Sequence, residues 1–138
     1  EDSQPVKNKF ILPKLKSSRI ITKTVCRHAA LIANEIKASA ICTLTHSGYT
    51  GWQISSWRPN CLVLVFTSNK RILSQLNLLW GVKCIYYNKF QSTDKTVEDV
   101  NELAIKNRYV KRGDVVINLA SMPIKDKGQV NTLRITKL

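Results

Sequence analysis

What is scarce in this sequence narrows the field first. Nine acidic residues stand among 138, scattered over predicted helices and turns, so no carboxylate pair presents itself for a divalent cation. Chemistry that depends on metal and positioning together therefore finds no support in the chain. Histidine occurs only at positions 28 and 46, neither in a ligand-like cluster, and His28 reads as a partly exposed helical residue. The cysteines, Cys26, Cys42, Cys61 and Cys84, include no C-x-x-C pair. That spacing argues against zinc and against a disulfide framework, and leaves reduced, buried thiols acting as small apolar groups. No apolar run approaches the roughly 20 residues needed to cross a bilayer, and the start lacks a charged segment followed by an apolar one. The expectation is a soluble cytoplasmic protein with no membrane partner. The first residue is Glu1 rather than Met, as in a processed product or a piece cut from something longer.

What is plentiful is positive charge. A formal net charge of +13 concentrates anions near the surface, with nucleic acid, a membrane face or a phosphorylated metabolite as candidate beneficiaries. The basic residues are spread along the chain, however, with no aromatic-interleaved stripe and no RNA-binding or helix-turn-helix pattern. Nucleic acid is thus an alternative partner, not the favoured one. A length of 138 residues with 43% hydrophobic and 22% charged side chains suits one ordinary globular domain with a buried core.

Residues 1–17 mix Pro5 and Pro13 with four lysines around Phe10-Ile-Leu12 and read as a lead-in or linker; residues 18–138 read as the domain. From Ser18 to Ala38, apolar residues at Ile21, Val25, Ala29, Ile32 and Ile36 predict an amphipathic helix capped by Ser18 or Thr22. Ala40–Thr45 is too short an apolar run for a helix and predicts a strand. A helix over Tyr49–Trp57 follows; Trp52 and Trp57, five apart, cannot share a face, which places one in the core and one at an edge. Cys61–Phe66 predicts a strand buried on both faces of a parallel sheet. Thr67-Ser68-Asn69 caps a helix over Arg71–Trp80 with Ile72, Leu76 and Leu79 inward, and Gly81 ends it. Val82–Tyr87, a helix opening at Asp94 or Thr96 with stripe Val97, Val100, Leu103 and Ala104, a turn over Val110–Asp114, and Val115–Leu119 come next. Asn131–Thr136 alternates as an edge strand would. The sum is an α/β fold: a three-layer open sheet of about five strands, mostly parallel with an antiparallel last edge strand, and helices on both faces.

The segment from Leu44 to Thr50, Leu-Thr-His-Ser-Gly-Tyr-Thr, joins the first strand to the second helix. Backbone N–H groups, a positive helix end and the hydroxyls of Thr45, Ser47 and Thr50 converge there, as a bound phosphate requires. Thr and Ser beside Gly also make ordinary turns and helix caps. Ligands of open α/β sheets sit beyond the carboxyl ends of the strands, where this loop lies.

Several blocks in order give the chain a resemblance to the C-terminal domain of pyruvate kinase, from about Ile20 onward. They are Val25–Ala33, Leu44–Thr50, Trp57-Arg-Pro59, Thr67-Ser-Asn-Lys-Arg71, Leu79-Trp-Gly-Val82, and Val110–Asp114 with Gly128 and Asn131. The resemblance implies a domain that carries part of a subunit interface and, in regulated members, a pocket for a phosphorylated sugar or nucleotide effector. The phosphate would be held by Leu44, Thr45, His46, Ser47, Gly48 and Thr50. Departures leave the effector open. The Trp and Arg that hold a second phosphate of fructose bisphosphate in some members have no clear counterpart, Phe90 and Lys95 being only loosely placed, and Ser121 stands where many members have glycine. Lys125, Lys127 and Gly128 are possible second anion contacts, with a solvated loop as the alternative. The resemblance also implies a parent enzyme of glycolysis that transfers phosphoryl from phosphoenolpyruvate to ADP on a separate barrel domain with Mg²⁺ and K⁺. Its partners would be the rest of that chain and sister subunits, and the domain alone is expected to be inactive. Two alternatives stand beside this: a small basic nucleic-acid-binding domain, and an unregulated structural domain whose loop stays empty.

Overall fold

The computed structural model describes residues 17–89, 92–121 and 130–138. The elements run α1 (Ser17–Ile36), β1 (Ala40–Leu44), α2 (Tyr49–Ser56), β2 (Leu62–Thr67), α3 (Lys70–Leu76), β3 (Val82–Tyr86), α4 (Thr93–Lys106), β4 (Val115–Ala120) and β5 (Thr132–Lys137). The expected lead-in lies, but for Ser17, outside the described residues.

The strands form one sheet in the order β3-β2-β1-β4-β5. Four are parallel, and β5 runs antiparallel to β4. This is the expected open α/β sheet. Central strands are apolar almost throughout because both their faces are covered. Ile41, Val63, Val65, Ile117 and Leu119 pack with α1, α2 and α3 on one side. Ala40, Cys42, Leu64, Phe66 and Val116 pack with Val100 and Ala104 of α4 on the other. Edge strand β5 is half-exposed, as its sequence suggested, but its burial does not alternate: Thr132, Leu133 and Thr136 are half-buried and Arg134, Ile135 and Lys137 exposed. Connections leave β1 toward β2 and β3 on one flank, whereas β4 lies on the other. The order therefore reverses beside the carboxyl end of β1, the position where such sheets bind ligands.

Three expectations need correction. In α1 the expected stripe holds in the middle and fails at the ends: Ala29 is buried together with Thr22, Cys26, Ala30 and Ala33, Val25 and Ile32 pack half-buried against the core, and Ile21 and Ile36 are exposed. Small side chains let the helix lie close to the sheet, and Ile21, Leu31 and Ile36 face outward. Ser18 and Thr22 both lie inside the helix, so neither is its cap. Neither Trp52 nor Trp57 enters the core; they are 56% and 48% exposed. The inward positions of α2 are Thr50, Gly51, Ile54 and Ser55, and a Cβ on Gly51 would come within 2.8 Å of Val65 Cγ2, which leaves no room for indole. Finally, α3 stops at Leu76, short of Trp80. Asn77 takes over: its Nδ2 donates to Leu73 O, and its Oδ1 accepts from Cys84 N–H at 2.9 Å. The turn thereby ties to β3 instead of continuing as helix.

Buried polar groups are paired across elements. Asn118 of β4 donates from Nδ2 to Asn101 Oδ1 of α4 at 2.9 Å, and its Oδ1 accepts from the Thr136 hydroxyl of β5 at 3.2 Å. Such pairing avoids the cost of an orphaned amide in the interior.

Candidate anion-binding site

Leu44 ends β1, and the Thr45 N–H donates to Phe66 O at 3.1 Å, extending the β1–β2 ladder by one bond. Gly48 is the N-cap of α2 at φ 87°. This left-handed conformation is natural for glycine and costly for other residues. Ile72 Cδ1 and Leu76 Cδ1 lie 3.4 and 3.5 Å from where its Cβ would be, so α3 backs the turn closely.

The first intrahelical bond of α2 runs from Trp52 N–H to Gly48 O at 3.1 Å. The N–H groups of Tyr49, Thr50 and Gly51 precede it and have no partner within the helix. They supply the positive end of the dipole that favours an anion here. The loop hydroxyls meet two amides themselves. Thr45 Oγ1 accepts from Gly48 N–H at 3.0 Å, and Ser47 Oγ accepts from Tyr49 N–H at 3.3 Å.

Not every expected residue reaches the surface. His46 and Ser47 are exposed, Leu44 and Thr45 half-buried, and Gly48 and Thr50 buried. The accessible part of the loop is thus Thr45, His46 and Ser47, joined by half-buried Tyr49, while Gly48 and Thr50 lie buried beneath it. Lys125, Lys127 and Gly128 lie outside the described residues.

Asn69 escaped the sequence reading except as a cap. Its Oδ1 does accept from Arg71 N–H at 3.1 Å, and its Nδ2 also donates to His46 O at 3.1 Å. A cap residue carries no sequence mark of that second bond. Next to the loop, between α2 and α3, lies an open groove of about 390 Å³. Trp52, Leu76 and Leu79 form its apolar wall, with Ser47, Tyr49 and Gln75 as polar members. That volume is within the range of small-molecule sites.

A family model described as the pyruvate kinase alpha/beta domain matches residues 23–136. The chain belongs to this family. A pyruvate kinase of Sporosarcina psychrophila is 35% identical over 115 residues, 83% of this chain and 20% of that protein. One of Clostridium acetobutylicum is 33% identical over 122 residues, 88% of this chain and 25% of its own length. One of Dictyostelium discoideum is 30% identical over 137 residues, 98% of this chain and 27% of that protein. The chain therefore spans about a fifth to a quarter of the pyruvate kinases it resembles.

Among the described residues no three His, Cys, Asp or Glu side chains gather as a metal would require. The described residues do not fit the Mg²⁺ implied for a pyruvate kinase, and no chemical step is assigned to them. Among the described residues, too, no helix is long and apolar enough to cross a membrane. Burial pushes all four thiols up, Cys26 and Cys42 to about 12 and Cys61 and Cys84 to about 11. They remain protonated near neutrality.

Proposed function

We propose that this pyruvate kinase alpha/beta domain is a regulatory and oligomerisation unit that takes a phosphorylated sugar or nucleotide at the Thr45–Thr50 loop. The observation that carries the reading is the placement of Thr45, Ser47 and the Tyr49–Gly51 amides together at the carboxyl end of β1. Phosphate binding asks the Thr45 and Ser47 hydroxyls to rotate and donate, leaving the Gly48 and Tyr49 N–H groups to the oxyanion. The adjoining groove has room for the body of such a molecule. Phosphoryl transfer from phosphoenolpyruvate to ADP, with its Mg²⁺ and K⁺, belongs to the remainder of the longer parent enzyme, and this domain alone is inactive. The exposed Ile21, Leu31 and Ile36 of α1 and Ile135 of edge strand β5 are the apolar surfaces offered to sister subunits or to the rest of the parent chain.

A second reading has an observation of its own. Because Thr45 and Ser47 already satisfy two loop amides, the loop is also complete as a structural turn in an unregulated domain. Thermal unfolding against a panel of sugar phosphates and nucleotides separates the two. A true effector at about a hundred times its Kd adds about 2.7 kcal/mol of stability, and the gain disappears in Thr45→Ala and Ser47→Ala. A gain that survives both substitutions removes the loop from consideration, and no gain with any member of the panel favours the structural turn.

A further inference from the structure

Charge is not spread evenly over this fold. Between Ser17 and Gly81 the sole acidic residue is Glu35. The same stretch exposes Lys23, Arg27, Lys37, Arg58, Lys70 and Arg71. Asp94, Glu98, Asp99, Glu102 and Asp114 all lie on α4 or the turn before β4, among Lys95, Lys106, Lys111 and Arg112. Arg112 pairs with Glu102 at 2.9 Å there. The surface built by α1, α2, α3 and their connections is therefore strongly cationic, and the α4 surface is nearly balanced.

Aromatic rings interleave with the cations on that surface, an arrangement the linear sequence hides. The Arg27 Cζ of α1 lies 5.7 Å from the centre of the Trp57 ring, and the Arg58 Cζ lies 5.8 Å from the centre of the Trp80 ring. Trp57 and Arg58 are consecutive, so the contacts run Arg27, Trp57, Arg58, Trp80. The ladder is held in place. Ser55 is buried and donates its hydroxyl to Trp80 O at 3.0 Å. Arg58 sits at φ 46°, with its N–H bonded to Ser55 O at 2.9 Å. Fixing an arginine in the left-handed region costs free energy, yet it swings the guanidinium toward Trp80. Trp57 and Trp80 remain 48% and 52% exposed. Both precede strands, so the ladder lies at the amino-terminal end of the sheet, away from the Thr45–Thr50 loop.

We propose that this ladder binds single-stranded nucleic acid. Bases stack on the exposed indole faces, as they do on sequence-tolerant single-strand platforms, and Arg27, Arg58 and Lys23 meet the phosphates. Among the described residues this surface carries no carboxylate but Glu35, which complements a polyanion, and the rings select a polyanion that carries planar bases.

The test is a fluorescence anisotropy titration of the 138-residue chain with a labelled 20-nucleotide oligouridylate at low and moderate salt, and with heparin as an anionic polymer lacking bases. Oligonucleotide binding that weakens steeply with salt and quenches tryptophan emission is expected, with no quenching by heparin. Trp57→Ala and Trp80→Ala should each weaken binding by about tenfold. Trp57→Phe and Trp80→Phe should restore most of it, and circular dichroism checks that each variant folds. Thr45→Ala and Ser47→Ala should leave the affinity unchanged, which keeps this surface distinct from the loop proposed above. No binding at low salt overturns the proposal. So does binding that is indifferent to both alanine substitutions, because charge alone would then account for it.

Discussion

Gly51→Ala is the sharpest probe of how α2 is seated. The added Cβ would stand 2.8 Å from Val65 Cγ2, about 1 Å inside ordinary carbon contact. Val65 cannot easily give way. It is wholly buried, and β2 holds it in register with Thr43 on one side and Cys84 on the other. A β-branched side chain also has few alternative rotamers. Overpacking of this kind costs about 1–3 kcal/mol, while alanine for glycine inside a helix returns about 1 kcal/mol. The net effect is a loss of up to about 2 kcal/mol. In a Val65→Ala background the clash disappears and the helix gain remains, so the same substitution should stabilise by about 1 kcal/mol. Urea unfolding of the four members of this cycle gives the coupling directly. An equal cost of Gly51→Ala in both backgrounds would show that α2 does not rest on Val65, and would refute the reasoning.

Gly48→Ala forces a side chain to φ 87° and should cost about 1–2 kcal/mol by urea unfolding. Asn118→Ala strands the Asn101 amide and the Thr136 hydroxyl. It should cost about 1–3 kcal/mol, and amide exchange in β5 should quicken. The thiols, raised by burial from an ordinary 9.0 to about 11 or 12, give alkaline pH a definite sign. Above pH 9 the unfolded chain ionises its cysteines before the folded one does, so stability falls as pH rises, whereas below pH 9 they contribute no slope. Denaturation midpoints of Cys26→Ala/Cys42→Ala should decline less steeply above pH 9 than those of the parent chain.

The architecture was legible because its signals are local. Short apolar runs at 40, 62 and 115, separated by helical spacing, lead to a parallel sheet, and the alternation from Thr132 onward marks an edge. Asn69 caps α3 as its chemistry suggested, whereas Gly81, at φ 69°, turns the chain beyond the Asn77 cap and does not end the helix. On α1 the apolar spacing places Val25, Ala29 and Ile32 toward the core but not Ile21 and Ile36, because a close helix-to-sheet approach selects alanine and cysteine for the deepest positions and leaves the isoleucines at the helix ends outside. Trp52 of α2 and Trp57 at its C-cap stay out of the core for a related reason: whether an indole fits depends on Gly51 and Val65, residues on different elements. At the candidate site the hydroxyls were placed by sequence. Their engagement with the amides of Gly48 and Tyr49 depends on loop dihedrals that no spacing rule encodes. The Arg27 to Trp80 ladder joins three separated segments, so no window along the chain could display it.

Asn69 gives the protein a mechanical seam. One side chain fastens the start of α3 and, with its other end, grips the carbonyl of His46 in the preceding crossover. The hydrogen bond adds to the close backing of the Gly48 turn by Ile72 and Leu76, so polar and apolar contacts together join the two crossovers. Aspartate at this position would keep the grip on α3 and let go of His46, leaving the apolar contact to join them.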